Sequence, residues 1–65
     1  MITSNIKQIM EDKKVSVRHM MEVAGLANET ILRARREQIV QCKLETLVSI
    51  ANCLSCKVKD LFDED

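Results

Sequence analysis

The sequence predicts an all-helical fold of five short helices, and three observations lead there. Its 65 residues include no Pro and a single Gly, so the chain lacks the punctuation of a protein built from turns and short strands. Apolar positions recur at three- and four-residue spacing, from Ile6, Ile9 and Met10 near one end to Leu44, Leu47, Val48 and Ala51 near the other. With one Phe and no Trp or Tyr, the core has to be aliphatic. A chain of this length holds one domain, residues 1–65, which buries only about 60% of the surface its unfolded form exposes.

The first helix is predicted from Ser4 to about Lys13, capped by Thr3 or Ser4 and burying Ile6, Ile9 and Met10. Its outer face is Lys7, Glu11, Asp12 and Lys14. Val15 then plugs the core, and Ser16 caps a second helix whose inner face is Met20, Met21 and Ala24. Gly25-Leu26 makes the turn. A third helix follows from about Asn28 to Arg35 or Arg36, with Ala27, Ile31 and Ala34 inward and Asn28, Glu29, Leu32, Arg33 and Arg36 outward. Two short helices meeting at one glycine have the spacing of a helix-turn-helix. Glu37 to Lys43 has no clear period and reads as a loop with Ile39 or Val40 half-buried. The fourth helix carries Leu44, Leu47, Val48, Ile50, Ala51 and Leu54 as an amphipathic stripe, and Ser55-Cys56-Lys57 breaks it. A fifth, Val58 to Phe62, buries Val58, Leu61 and Phe62 before the acidic end frays.

Ten basic and ten acidic residues give a net charge of zero, so composition alone does not point to a nucleic acid. The distribution is more informative. Four Arg and one Lys lie between Arg18 and Lys43 against Glu22, Glu29 and Glu37, whereas the chain ends in Asp60, Asp63, Glu64 and Asp65. No stretch is apolar enough to span a membrane, and Met1 to Ser4 lacks the character of a signal peptide, so a cytoplasmic location is expected. Three cysteines, an odd number, fit reduced thiols. Cys53-x-x-Cys56, with Cys42 and His19, raises zinc, an iron-sulfur cluster or a redox switch, but one pair without a second is a weak metal signature and Cys53 falls among small packing residues. No metal or other cofactor is expected. Nor does any Ser-His-Asp or Cys-His arrangement or phosphate loop support catalysis, so neither a catalytic residue nor a small-molecule substrate is expected.

The residues together resemble the lambda-repressor-like helix-turn-helix family, which includes phage repressors, Cro proteins and the xenobiotic-response-element regulators. Ile6-x-x-Ile9 resembles the family's first helix, Val15-Ser16-x-x-x-Met20 its Leu-Ser-x-x-x-Leu, and Gly25-Leu26 with Ile31 its Gly-Val and recognition-helix Ile. Leu44 to Leu54 followed by Val58-x-x-Leu61-Phe62 is similar to its closing pair of helices. The chain departs from the pattern at Val17, where Gln is common, at Met21 for Ala, at Ala27 for a capping Ser or Thr, at Glu37 for Gly, and at Cys42-Lys43.

The resemblance implies that the third helix enters the DNA major groove and that Asn28, Glu29, Thr30, Leu32 and Arg33 read bases. Arg33 suits guanine, Asn28 adenine, Glu29 cytosine and Leu32 a thymine methyl, at about 1–3 kcal/mol of discrimination for each good pair. Two alternatives remain open: Glu29 and Arg33 are also spaced to pair with each other, and Asn28 is placed to cap its own helix. Ser16, with the free amides that follow it, makes an anion site beside Arg18, while Arg36, Gln38, Gln41 and Lys43 are candidates for the DNA backbone on the other side. Arg35 and Arg36 also suit a helix C-terminus simply as cations.

The expected function is therefore that of a DNA-binding transcription regulator, a small Cro-like or stand-alone repressor. It would bind double-stranded operator DNA as a homodimer, with its recognition helices about 34 Å apart. Val58 to Phe62 is a candidate dimer surface by resemblance. The alternative is a protein-interaction module on the same fold, antirepressor- or antitoxin-like, with little DNA binding; neutral charge, Val17 and an exposed Leu32 favour it.

Overall fold

The computed structural model describes residues 1–65. In order, the elements are β1 (Ile2–Ser4), α1 (Ile6–Lys13), α2 (Val17–Ala24), α3 (Asn28–Ala34), a 3-10 turn (Glu37–Gln41), α4 (Leu44–Cys53), a second 3-10 turn (Val58–Leu61) and β2 (Phe62–Glu64). The molecule is thus mostly helical, with four α-helices rather than five. No helix is long and apolar enough to cross a membrane.

The loss of the fifth helix has a local cause, whereas the strand pair that replaces the expected ends joins residues from opposite ends of the chain. In the second 3-10 turn, Asp60 closes a tight ring on Lys57: its amide donates to the Lys57 carbonyl at 2.9 Å, and its carboxylate accepts from the Lys57 amide at 3.1 Å. That i to i+3 geometry does not propagate into an α-helix before the chain turns extended at Phe62. The expected loop after α3 winds the same way, with Ile39 donating to Arg36 and Cys42 to Ile39, both at 3.1 Å. Of its two apolar residues Ile39 is buried, whereas Val40 is exposed. The two ends of the chain, expected as the start of the first helix and a frayed tail, instead pair antiparallel, Ile2 opposite Glu64, Thr3 opposite Asp63 and Ser4 opposite Phe62. The Asp65 amide and the amino terminus extend the ladder by one more reciprocal pair.

Ser4 therefore belongs to a strand, yet its hydroxyl still serves a helix start. It accepts from the Ile6 amide at 3.3 Å and donates to the Ala34 carbonyl, so one side chain ties the beginning of α1 to the end of α3.

Eleven residues are buried, all of them apolar. Ile6 and Met10 of α1, Met20 of α2, and Ile31 and Ala34 of α3 meet Leu47, Ile50, Ala51 and Leu54 of α4, with Ile39 and Leu61 closing the ends. Several expected positions differ. Leu44 and Val48 stand outside the α4 stripe and are exposed, as is Ala27, whereas Leu32 is half-buried. In the stretch expected as a dimer surface, Leu61 is fully buried and Val58 and Phe62 are half-buried against the core.

Each of α1, α2 and α4 is stopped by a residue in left-handed backbone: Lys14 (φ 57), Gly25 (φ 68) and Ser55 (φ 56). After α1, Val15 donates to Met10 and Lys14 to Glu11; after α4, Cys56 donates to Ala51 and Ser55 to Asn52. Both are the paired-bond ending in which the left-handed residue lets two amides reach back to orphan carbonyls. Gly25 uses a single bond to Met21 at 3.0 Å. A Cβ on Gly25 would touch nothing within 4 Å, so its requirement is conformational, not steric.

Gly25→Ala is expected to destabilise the domain by about 1 kcal/mol, and Lys14→Gly to stabilise it by up to ~1 kcal/mol, in urea unfolding. Loss of stability in Lys14→Gly would contradict this account of the helix ends.

Candidate nucleic-acid interface

α3 is held by its inner face and free on its outer one. Ile31 and Ala34 are fully buried, while Asn28, Glu29 and Arg33 are exposed and Thr30 and Leu32 half-buried. Ala27 gives the helix no side-chain cap, and no side chain replaces it, so the Asn28 amide group is not engaged at its own helix start. Glu29 and Arg33 do pair, at 3.6 Å, with side chains 80% and 60% exposed. An i to i+4 pair so exposed contributes only about 0.2–0.5 kcal/mol.

Beside that face an open groove of about 350 Å³ brings Thr30 and Arg33 together with Gln38, Gln41 and Lys43. Lys43 is the residue before α4, and its carbonyl accepts the amides of Thr46 and Leu47. No side chain caps α4, so the amides at its start remain available next to the same groove. Arg33, Lys43 and those amides set positive charge on this rim against one carboxylate, that of Glu45 in the first turn of α4.

Ser16 lies elsewhere. Its hydroxyl accepts the His19 amide at 3.0 Å, fixing the start of α2. It faces a second groove of about 280 Å³, whose cations are Lys7, Lys14 and Arg35. Arg18 does not line that groove; it pairs with Glu22 at 3.8 Å in full solvent. Arg36 lies in a third depression, with Glu37, Val40, β1 and Arg35, which lines this depression as well as the Lys7–Lys14 groove, so the structure does not group Arg36 with Gln38, Gln41 and Lys43. Val17, standing where a hydrogen-bonding side chain is common in the resembled family, is half-buried against the core.

The groupings around Ser16 were invisible in the sequence. Lys7 and Lys14 read as solvated positions of a helix and Arg35 as a terminal cation, and only tertiary packing of α1 beside the end of α3 makes them neighbours. No local period encodes such a meeting.

All three cysteines are free thiols. Burial raises the pKa of each, with Asp60 adding to the effect at Cys56; Arg33 partly offsets it at Cys42 and Lys13 at Cys56. Cys42 also lines the Arg33 groove and donates weakly to the Gln38 carbonyl at 3.8 Å. No three His, Cys, Asp or Glu side chains come close enough to share a metal ion.

The thiols set a sign for pH dependence. Their folded pKa values lie above the ordinary 9.0, so the unfolded chain loses these protons first. Their contribution is complete below that value and is lost as pH rises through the folded pKa. Urea midpoints are expected to be insensitive to the thiols near neutrality and to fall in the alkaline range, less steeply in a triple Cys→Ala variant. An equal alkaline fall in both proteins would remove the thiols from the explanation.

A search among curated proteins finds no match to the chain. The family model described as the Cro/C1-type HTH DNA-binding domain matches residues 5–64, nearly the whole length, and the chain belongs to that family of DNA-binding domains.

Proposed function

We propose that residues 1–65 form a single-domain transcription regulator, a repressor, that reads operator DNA in the major groove with the outward face of α3. The observation carrying this reading is the free outer face of a helix whose inner face is fully buried, bordered by a groove that adds Gln38, Gln41 and Lys43. On this reading Arg33 donates two guanidinium N–H groups to guanine O6 and N7, Asn28 pairs with adenine, Glu29 accepts from cytosine, Thr30 reaches a base edge from the groove side, and Leu32 packs on a thymine methyl. The exposed Glu29–Arg33 pair is weak enough to open or be shared when a base arrives. Lys43, Gln38, Gln41 and Arg36, together with Ser16, the α2 amides and Arg18, position the protein on the phosphates.

A homodimer on a pseudo-palindromic site, two α3 helices about 34 Å apart, completes the reading. It assigns the chain no catalysis and no cofactor, and a cytoplasmic location goes with it. A second reading, an interaction module with little DNA binding, draws on different residues. Val40 and Leu44 are 62% and 68% exposed, and Val17 offers no hydrogen bond to a DNA backbone. Salt separates the two: DNA binding releases counterions and weakens steeply as salt rises, whereas an apolar protein contact does not.

Duplexes enriched from a random pool by the protein are expected to share a motif, and Arg33→Ala to lose about 1–3 kcal/mol at one base position, relaxing preference there. Absence of enrichment, with no binding at low salt, would move the function to a protein partner.

A further inference from the structure

We infer that Lys7, Lys14 and Arg35 form a phosphate-binding groove on the flank of α3 opposite Lys43, so that α1 takes part in gripping the duplex. The inference rests on the reading that α3 faces DNA. Two helices supply the cations: α1 gives Lys7 from its first turn and Lys14 from its left-handed end, and α3 gives Arg35 from the residue that closes it. Around the same groove, of about 280 Å³, lies Ser16 at the start of α2. Glu11 is the only acid there, and it pairs with none of the three, the chain's ion pairs being Arg18–Glu22 and Arg33–Glu29. In a molecule of zero net charge, three unpaired cations are thus gathered on one concave surface.

Helix geometry fixes where that surface lies. Arg33 and Arg35 are two residues apart, about 200° around the axis, and Arg35 keeps helical backbone (φ −78, ψ −5). Arg33 opens onto the Lys43 groove and Arg35 onto the Lys7–Lys14 groove, so the two lie on opposite sides of the strip carrying Asn28, Leu32 and Glu29. A helix about 10–12 Å across fills a major groove about 12 Å wide, and the phosphates of both strands border it. One groove meets each wall. The backbone of Lys14 fits this role: a lysine occupies a left-handed position where glycine is easier, and it places a cation on the rim.

The test is the salt dependence of binding to a duplex enriched from a random pool, for wild type, the Lys7→Gln/Lys14→Gln double variant, Arg35→Gln, and a Lys57→Gln/Lys59→Gln control at the second 3-10 turn. Lys7 and Lys14 are exposed, so the double variant keeps the fold, checked by circular dichroism. The slope of log affinity against log salt should become shallower by about 0.9 for each phosphate that is no longer neutralised, about two such steps per protomer in the double variant and one per protomer in Arg35→Gln, each doubled when two protomers occupy the site. Base preference should stay the same, and the control should match wild type. Wild-type binding with an unchanged slope in both groove variants would overturn this inference alone. Failure of the wild type to bind any duplex would overturn the DNA reading and the inference with it.

Discussion

The burial of Ile31 and Ala34 is the constraint on which the rest depends. α3 has seven residues, well below the length at which a helix holds together in water, so it exists only as a docked element. Its two inner side chains are fully buried against the other helices, its last carbonyl takes the Ser4 hydroxyl, and its first turn has no cap at all. Everything that holds it acts from one side. The outer side is left to Asn28, Glu29 and Arg33, joined only by one weak surface pair.

The sharp helix ends make that docking possible in so short a chain. α1, α2 and α4 each reverse through a left-handed residue, and Lys13 at the end of α1 also donates from its ammonium to the Leu54 carbonyl at the end of α4. Only one of these three reversals was legible in the sequence, because only Gly25 announces left-handed backbone; Lys14 and Ser55 do not. The helix positions themselves were legible from the spacing of Ile6, Met10, Ile31, Leu47 and Ile50. The strand pair was not, since three residues are too few to show alternation and Ile2 finds its partner at Glu64, the far end of the chain.

The candidate site divides the same way. Exposure of Asn28, Glu29 and Arg33 follows from helical period, which any window of sequence displays. The grooves beside them depend on which elements lie next to each other. Lys43 joins Arg33 because the 3-10 turn brings the start of α4 alongside α3, and Lys7 joins Arg35 because Ser4 ties the start of α1 to the close of the same helix. Arg36, one residue farther on, leaves the helix in extended backbone (φ −122, ψ −170) and turns to a different depression. A net charge of zero likewise hid a local imbalance, since four of the ten acids lie from Asp60 onward and none of these lines the grooves that hold Arg33 with Lys43 and Lys7 with Lys14.

The most direct measurement is the set of backbone amide shifts in a heteronuclear NMR spectrum as an enriched duplex is added. The account predicts that the changes concentrate on Asn28 to Arg33, on Gln38 to Glu45 and around Ser16, while Val58 to Asp65 stay close to their free positions. Changes centred instead on Val58 to Asp65, with α3 unmoved, would contradict it.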